Sequence, residues 1–456
     1  MSMKNDQEAR VCVIVPAFPV VGGILTVLKG MEQAMQDVWR IEYLTQHTGT
    51  EEAHRARSII HRFGTRRMTP WYFPFAWLYV LAGVAKLLAL KRRLCHYRLL
   101  LPQDGIFSAL LAGLVGKISG ARVAVIDHGD ISLFTPRNQR IYRAERRAAI
   151  ATKGWPCFVR LAARVLLSFY WPSRWLAARL AVPLVDHYLI PGVPGDSSAE
   201  GCALLGIPDA RVTRYNSMID SQQHSILDAA GRAALRAAQD LPADALIVAI
   251  VCRLAPEKGL DIALASIEDV LARLAPEQRA RLRVVIAGDG PERASLERDA
   301  RRRGLTQTCH FWGELAAEDV RALLSISDIF LYTSTRGACM AMTVLEAMAS
   351  GCAVIASTEP LANAALLAQG RGIAVPPADL AQTSDALLLL LDDAPLCRSM
   401  GMAAREYIRV YHSPAAFRDV LLRVLGEARA PTPPQGRDIV SSAPTASFQG
   451  ESDNRS

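Results

Sequence analysis

The feature that most constrains this chain is a repeated alternation of short apolar runs with segments of helical periodicity. Apolar runs of this length are typical of buried strands, and the alternation is typical of α/β domains with parallel sheets. In the first half the predicted strands are residues 11–18, 41–46, 98–102, 122–127, 187–192 and 212–216. In the second half they are residues 246–252, 283–288, 310–313, 328–333, 353–357 and 372–376.

A polar segment separates the two halves. Residues 221–244 are rich in Ala, Gln and Asp, which predicts a linker with a short helix. We therefore expect one Rossmann-like domain over residues 1–220 and a second over residues 245–412, with a cleft between them. Residues 413–429 are predicted to form a C-terminal helix that could cross back to the first domain. The tail, residues 430–456, is rich in Pro, Ser and Gly and is predicted to be disordered.

Length and cysteine content exclude several classes of protein. The 456 residues are ample for two packed cores. Nine cysteines, an odd number without a Cys-x-x-Cys pair or a Cys/His cluster, argue against a disulfide framework and a zinc site. The polar N-terminus leads directly into the first apolar run, so we expect no signal peptide and predict a cytoplasmic protein.

Positive charge is concentrated in the first half. The net charge is +8, yet residues 61–180 alone hold 20 Lys and Arg against 4 Asp and Glu. This asymmetry predicts an anionic partner. A nucleic acid is not expected, because no binding motif accompanies the charge. Residues 71–93 are apolar enough to suggest a membrane span, but a span there would split the first sheet, so we reject it.

Residues 156–185 permit two interpretations. Aromatic and aliphatic residues are mixed there with Arg160, Arg164, Arg174 and Arg179. These residues could form core helices with a solvated basic face. Alternatively, they could lie in the plane of a membrane, with arginines on anionic head groups, as a peripheral contact.

The loop at residues 251–261 has the composition of a phosphate site. It leaves a predicted strand, carries Arg253 and Lys258, and enters a helix at Gly259. Two cations and a helix N-terminus directed at one point suit a phosphate or diphosphate. Taken alone, a basic pair in a loop is also compatible with a solvated surface.

A second turn of this kind follows. In residues 284–300 a strand leads through a Gly-rich turn into a helix, which places Asp289 and Gly290 at the carboxyl edge of the sheet. Ligands of such folds bind at that edge.

The order of these motifs resembles the retaining glycosyltransferases of family 4, which have the two-domain GT-B fold. The resemblance rests on the Arg253–Gly259 loop, the Gly-Asp-Gly-Pro turn at 288–291, FWGEL at 311–315, and LEAMASGCAVIAS at 345–357. It covers most of the second domain, and an ordered series of this length is specific.

The first domain resembles the family through two shorter motifs. PVVGGILTV at 19–27 is similar to the family's glycine loop, and Gly22 and Gly23 would allow close approach to a ligand. A simple tight turn is the alternative. His128 follows the predicted fourth strand, and in the family a histidine in this setting lies against the donor sugar; otherwise such a histidine is structural. Asn216 and Asp220 are expected to form a turn.

The stretch TSTRGACMAMTVLEAMASG departs from the family pattern. The family has two glutamates with seven residues between them. Glu346 occupies the second position, which implies binding of the nucleotide's ribose hydroxyls. The first position is Ala338, which puts the identity of the sugar in doubt. Met342 and Thr343 lie before the predicted helix and are candidate donor contacts.

The resemblance implies transfer of a sugar from a nucleotide-sugar to an acceptor hydroxyl with retention. Arg253 and Lys258 would neutralise the leaving diphosphate, and no metal or cofactor is expected. The expected acceptor is a glycan or a lipid-linked glycan, as in polysaccharide or lipopolysaccharide synthesis. The alternatives are a catalytically inactive GT-B scaffold of an envelope assembly complex, a nucleotide-sugar epimerase, and a phosphorylase.

Overall fold

The computed structural model describes residues 9–15, 23–35, 37–46, 59–63, 75–89, 97–103, 105–152, 154, 156–192, 197–336, 341–359 and 362–425. These residues form two α/β domains, each built around one parallel sheet. The predicted fold class is therefore confirmed. The tail 430–456, Gly22 and Ala338 lie outside the described residues.

The first sheet has seven strands in the order β3-β2-β1-β4-β5-β6-β7. They are β1 (Ala9–Val15), β2 (Trp39–Gln46), β3 (Ile59–Phe63), β4 (Tyr97–Pro102), β5 (Arg122–Ile126), β6 (His187–Pro191) and β7 (Val212–Tyr215). The strand order reverses between β1 and β4. The segments of chain that follow these two neighbouring strands therefore diverge in opposite directions along the sheet.

The edge strand β3 was not predicted from the sequence. Its five residues, IIHRF, pair in register with β2 from Glu42 to Gln46. The apolar pattern is interrupted by His61, which is buried and bonds the buried Glu42 carboxylate through Nε2 at 2.8 Å. Because the two buried side chains hydrogen-bond each other inside the domain, a search for apolar runs does not detect this strand.

Helices cover both faces of this sheet. They are α1 (Gly23–Met35), α2 (Phe75–Ala89), α3 (Ile106–Ser119), α4 (Pro136–Thr152), α5 (Cys157–Ala181) and α6 (Ser198–Leu205). On one face α3 packs between α2 and α5. On the other face α1 packs against a core that includes Val11, Val13 and Tyr43.

Arg174 corrects the sequence-based interpretation of α5. The sequence grouped it with three arginines on a basic outer face. In the structure its side chain is buried and forms an ion pair with Asp130 at 2.8 Å, while its Nη1 donates to the Tyr170 hydroxyl at 3.0 Å. The helix turns its C-terminal half inward, so Arg174 belongs to the core.

The second sheet has six strands in the order β10-β9-β8-β11-β12-β13. They are β8 (Leu246–Val251), β9 (Leu282–Ala287), β10 (Cys309–Gly313), β11 (Ile329–Tyr332), β12 (Ala353–Ser357) and β13 (Ile373–Val375). The order reverses between β8 and β11.

The remaining helices belong to the linker, the second domain and the C-terminal crossing. They are α7 (Ala229–Ala237), α8 (Leu260–Arg273), α9 (Pro276–Arg281), α10 (Arg293–Arg302), α11 (Ala317–Ile326), α12 (Met342–Ala349), α13 (Ala362–Leu367), α14 (Leu380–Asp392), α15 (Ala394–Tyr411) and α16 (Pro414–Leu425). Within the described ranges, none of the helices has both the length and the hydropathy to cross a bilayer.

The last helix, α16, leaves the second domain and packs on α1 of the first. Phe417 is buried there, with its ring centroid 5.5 Å from that of Tyr215. Arg418 forms a two-pronged ion pair with Asp37 at 2.7 and 2.9 Å. The chain therefore connects the two domains twice.

Candidate active site

The site is built where the strand order of the second sheet reverses. The carboxyl ends of β8 and β11 are neighbours at this reversal, and the chains that leave them diverge. Such a crevice is where open α/β sheets bind ligands. The loop that follows β8 carries Arg253 and Lys258 into it.

Gly259 fixes the shape of this loop. It has φ +62° and precedes the first residue of α8. A Cβ at this position would lie 2.4 Å from the Thr333 carbonyl oxygen, so a side chain does not fit. The Thr333 hydroxyl in turn donates to the Lys258 carbonyl at 3.1 Å. The loop after β8 is thus joined to the end of β11.

Lys258 holds a positive charge in this crevice. Its ammonium donates to the Tyr332 hydroxyl at 3.3 Å and lies 5.4 Å from the centroid of the same ring. Among the described residues it forms no ion pair with a carboxylate. A half-buried cation held by a neutral hydroxyl is available to an anionic ligand.

Arg253 is exposed and forms an ion pair with Glu257, one helical turn further on. An anion that binds Arg253 must therefore share or displace this carboxylate. Glu257 was not among the predicted site residues. Its spacing of four residues from Arg253, in a segment that turns helically before α8, is a signal that could have identified it.

Two glycines bring the neighbouring loop against this one. A Cβ on Gly288 would lie 1.9 Å from the Cys252 carbonyl oxygen, and one on Gly290 would lie 2.3 Å from that of Leu254. The Leu254 amide donates to the Asp289 carbonyl at 2.9 Å. The Asp289 carboxylate accepts from the Gly290 amide and from Arg293, which lowers its pKa. That side chain stabilises its own turn.

Glu346 lies in the second turn of α12. Burial raises the pKa of its carboxyl to about 7, and the positive charge of Arg321 on α11 acts in the opposite direction. Arg321 was not predicted from the sequence, because the two residues are distant along the chain. Met342 and Thr343, predicted to precede the helix, instead form its first turn.

His128 follows β5 at the carboxyl edge of the first sheet. Its Nε2 bonds the Oε1 of Gln103 at 2.9 Å, and its Nδ1 lies 3.3 Å from the Tyr215 hydroxyl. Desolvation lowers its pKa to about 4, so the ring is neutral near pH 7. Gln103 was missed by the sequence analysis, although its place directly after β4 marks it. Gly23 is the first residue of α1.

One ion pair links the carboxyl edges of the two sheets. Arg137, in the first turn of α4, bonds Glu359 after β12 at 2.8 Å. The helix α4 begins eight residues after His128. This ion pair therefore holds the carboxyl edge of the first sheet, where His128 lies, near that of the second sheet, where the loop with Arg253 and Lys258 and the helix with Glu346 begin.

Comparison with known proteins agrees with this geometry. Residues 231–407 match the family model described as glycosyl transferases group 1. This stretch covers most of the second domain and includes the loop, the glycine turn and α12. The second domain is therefore similar to glycosyltransferases.

Two curated relatives carry related names. An alpha-D-kanosaminyltransferase of Streptomyces kanamyceticus is 29% identical over 221 residues, which cover 48% of this chain and 55% of the relative. A GDP-mannose-dependent alpha-(1-6)-phosphatidylinositol monomannoside mannosyltransferase of Mycobacterium tuberculosis is 30% identical over 190 residues, 40% of this chain and 47% of the relative. The chain thus spans about half the length of these relatives.

Similarity in structure extends over both domains. HepE of Anabaena, solved in complex with UDP and glucose, superposes with a TM-score of 0.65 at 16% identity. The match covers 92% of this chain and 100% of HepE. The fold is GT-B.

Proposed function

We propose that this protein is a glycosyltransferase that moves a sugar from a nucleotide-sugar to an acceptor hydroxyl. The observation that carries the proposal is Lys258. Its ammonium lies at the reversal of the second sheet, beside the N-terminus of α8, and no carboxylate neutralises it among the described residues. A cation in this position suits the diphosphate of a nucleotide-sugar.

The second domain binds the donor. Arg253 and Lys258 contact the diphosphate, and Glu346 accepts hydrogen bonds from the ribose hydroxyls. Gly290 allows close approach to the nucleotide, and the first turn of α12, Met342 and Thr343, lines the donor pocket, as the family resemblance implies. As the glycosidic bond breaks, negative charge grows on the leaving diphosphate, and the two cations stabilise it in place of a divalent metal.

The first domain supplies the other wall of the cleft. His128 lies against the donor sugar as a neutral hydrogen-bonding group, since burial keeps its pKa low. Gln103 holds the orientation of the ring. The acceptor hydroxyl approaches from this side, and closure of the domains excludes water. The proposed reaction retains the anomeric configuration, and the donor contacts that the family resemblance implies for Gly22 and Gly23 belong to the same proposal.

We further propose that the acceptor is a glycan carried on a lipid at the cytoplasmic face of a membrane, as in synthesis of a surface polysaccharide or lipopolysaccharide. The support is the basic first half of the chain. A relative named as a phosphatidylinositol monomannoside mannosyltransferase is compatible with a lipid acceptor.

The test is turnover of UDP-, GDP- and ADP-sugars by the purified protein, with nucleotide binding followed by thermal shift. Lys258→Ala is expected to lower kcat by about 10²–10³-fold, because it removes charge that stabilises the leaving group. The melting temperature should be nearly unchanged. Lys117→Ala, which removes an exposed lysine from the last turn of α3, is the matched control.

A fully active Lys258→Ala variant would reject the donor site. If the wild type shows neither turnover nor stabilisation by any nucleotide, the inactive-scaffold alternative is supported. The Ala338 that stands in place of the family's first glutamate would then explain the lost activity. Proton NMR of the product anomer tests retention separately.

A further inference from the structure

A basic groove lies outside the cleft, between α4 and α5. The two helices together hold nine arginines and a single acidic residue. The groove is an open cavity of about 500 Å³, and its lining residues are Arg143, Arg147, Arg164, Leu167, Ser168 and Trp171. Three arginines from two helices therefore line one cavity.

The three arginines that line the groove have no acidic partner among the described residues. Within the part of the chain that the structure describes, Arg143, Arg147 and Arg164 form no ion pair with a carboxylate. Arg143 lies over the Trp171 ring, 5.5 Å from its centroid. The indole Nε1 of Trp171 is buried and has no hydrogen-bond partner among the described residues. The groove thus contains donors and positive charge in excess of acceptors, which suits a phosphate group.

An apolar ridge lies beside the groove on α5. We define it by Phe158, Leu161, Val165, Leu166 and Phe169, whose side chains are 43–73% exposed. Most of them recur at spacings of three or four residues and so form a stripe adjacent to the face that carries Arg164. Exposed aromatic and aliphatic side chains beside arginines are typical of contact with a lipid surface.

The groove is also close to the cleft along α4. Arg137, which bonds Glu359 across the domains, is ten residues before Arg147, and this separation corresponds to about 15 Å along a helix. A ligand held in the groove therefore lies about three helical turns along α4 from the ion pair that joins the two domains.

We propose that the groove binds the phosphate of an anionic lipid headgroup while the apolar ridge contacts the acyl chains. Arg147 and Arg164 grip the phosphate from opposite helices, and Arg143, stacked on Trp171, completes the site. The contact holds the first domain at the membrane. That this surface is the one carrying the acceptor rests on the proposed function; binding of the lipid does not.

The experiment is co-sedimentation with phosphatidylcholine vesicles that contain phosphatidic acid. Arg147→Gln with Arg164→Gln should weaken binding about 25-fold, since each arginine near an anionic membrane contributes about fivefold. The matched control, Arg40→Gln with Arg214→Gln, removes two exposed first-domain arginines outside α4 and α5 and should weaken binding at most about threefold. Equal losses in the two double variants, or no binding by the wild type, overturn the proposal.

Competition against the wild-type protein keeps the test independent of variant folding. Short-chain phosphatidic acid should displace the protein from the vesicles, and short-chain phosphatidylcholine should not. If inorganic phosphate at matched ionic strength competes equally well, the groove is a small-anion site and the lipid assignment fails. No nucleotide-sugar is present in any arm, so these outcomes do not depend on glycosyl transfer.

Discussion

At the scale of single residues, the carboxyl of Glu346 is the most perturbed acid of the candidate site. Burial on α12 raises its pKa to about 7, and Arg321 offsets only part of this effect. The group is therefore close to half protonated under physiological conditions. An ionised carboxylate accepts hydrogen bonds from both hydroxyls of a ribose, whereas the protonated form has lost part of this capacity.

Nucleotide affinity should consequently increase with pH through about 7. Below this pKa the protonated carboxyl must lose its proton to bind the diol, so affinity should fall by up to about tenfold for each pH unit. Calorimetric titration with the nucleotide that stabilises the protein measures the effect. The variant Glu346→Gln provides the control: it should bind weakly, with only the pH dependence of the nucleotide's own phosphate. The same pH dependence in both proteins would contradict the assigned role.

His128 shows a second way in which one residue depends on its surroundings. Its neutral state follows from burial, and its orientation follows from Gln103 after β4 and Tyr215 at the end of β7. Neither partner is adjacent to it in sequence. A motif can locate such a histidine, but it cannot specify the protonation state on which the chemistry depends.

At the scale of elements, the proposed donor site is a junction of three loops. The Leu254 amide donates to the Asp289 carbonyl, which joins the loops after β8 and β9, and the Thr333 hydroxyl donates to the Lys258 carbonyl, which joins the loops after β8 and β11. Glycines allow these contacts because any side chain would collide with a neighbouring carbonyl. The position of the Lys258 ammonium is thus a property of the whole junction.

Gly259→Ala tests this property. Its Cβ would lie 2.4 Å from the Thr333 carbonyl oxygen, and its backbone has φ +62°, so the loop must move. We expect a loss of about 1–3 kcal/mol in the free energy of unfolding and at least about tenfold weaker nucleotide binding. Denaturant unfolding and calorimetry measure the two quantities.

Gly304→Ala separates loop displacement from backbone strain. Gly304 has φ +72°, but a Cβ there would meet no atom within 4 Å. This control should lose about 1–2 kcal/mol of stability and retain nucleotide affinity. If both variants bind nucleotide normally, the junction does not position Lys258.

The sequence predicted the repeating elements of the fold because apolar periodicity is a local property. It predicted Arg253, Lys258 and Glu346 as site residues because each lies within a strand–loop–helix motif. It missed β3, whose polar pair His61 and Glu42 is satisfied only in the folded sheet. It placed Arg174 on the surface because nothing local reveals Asp130 as its partner.

At the scale of the whole molecule, α16 links the domains on the side of the linker. The Asn216 side chain donates to the Tyr411 carbonyl at 3.0 Å, and the Ile219 amide donates to that of His412 at 2.7 Å. The chain then enters α16, where Phe417 inserts into the first domain's core. Two crossings at one end of the interface would restrict relative motion of the domains to a hinge, as the proposed domain closure requires.

The contribution of this crossing is measurable through Phe417→Ala. Phe417 is buried between Tyr215 and the α1 side of the core, so its truncation should destabilise the first domain by about 3–5 kcal/mol. Arg418→Ala, the neighbouring control, removes an exposed ion pair and should cost at most about 1 kcal/mol.

Tryptophan fluorescence reports mainly on unfolding of the first domain. Six of the seven tryptophans precede residue 221, and Trp312 alone lies in the second domain. The denaturation midpoint reported by fluorescence should therefore fall in Phe417→Ala, while nucleotide binding by the second domain persists. If Phe417→Ala and Arg418→Ala instead have the same denaturation midpoint, α16 contributes little to the stability of the first domain. The linker alone would then have to maintain the relative position of the two domains. In that case only the linker would act as the hinge between the domains. Domain closure would then be far less constrained than the two connections imply.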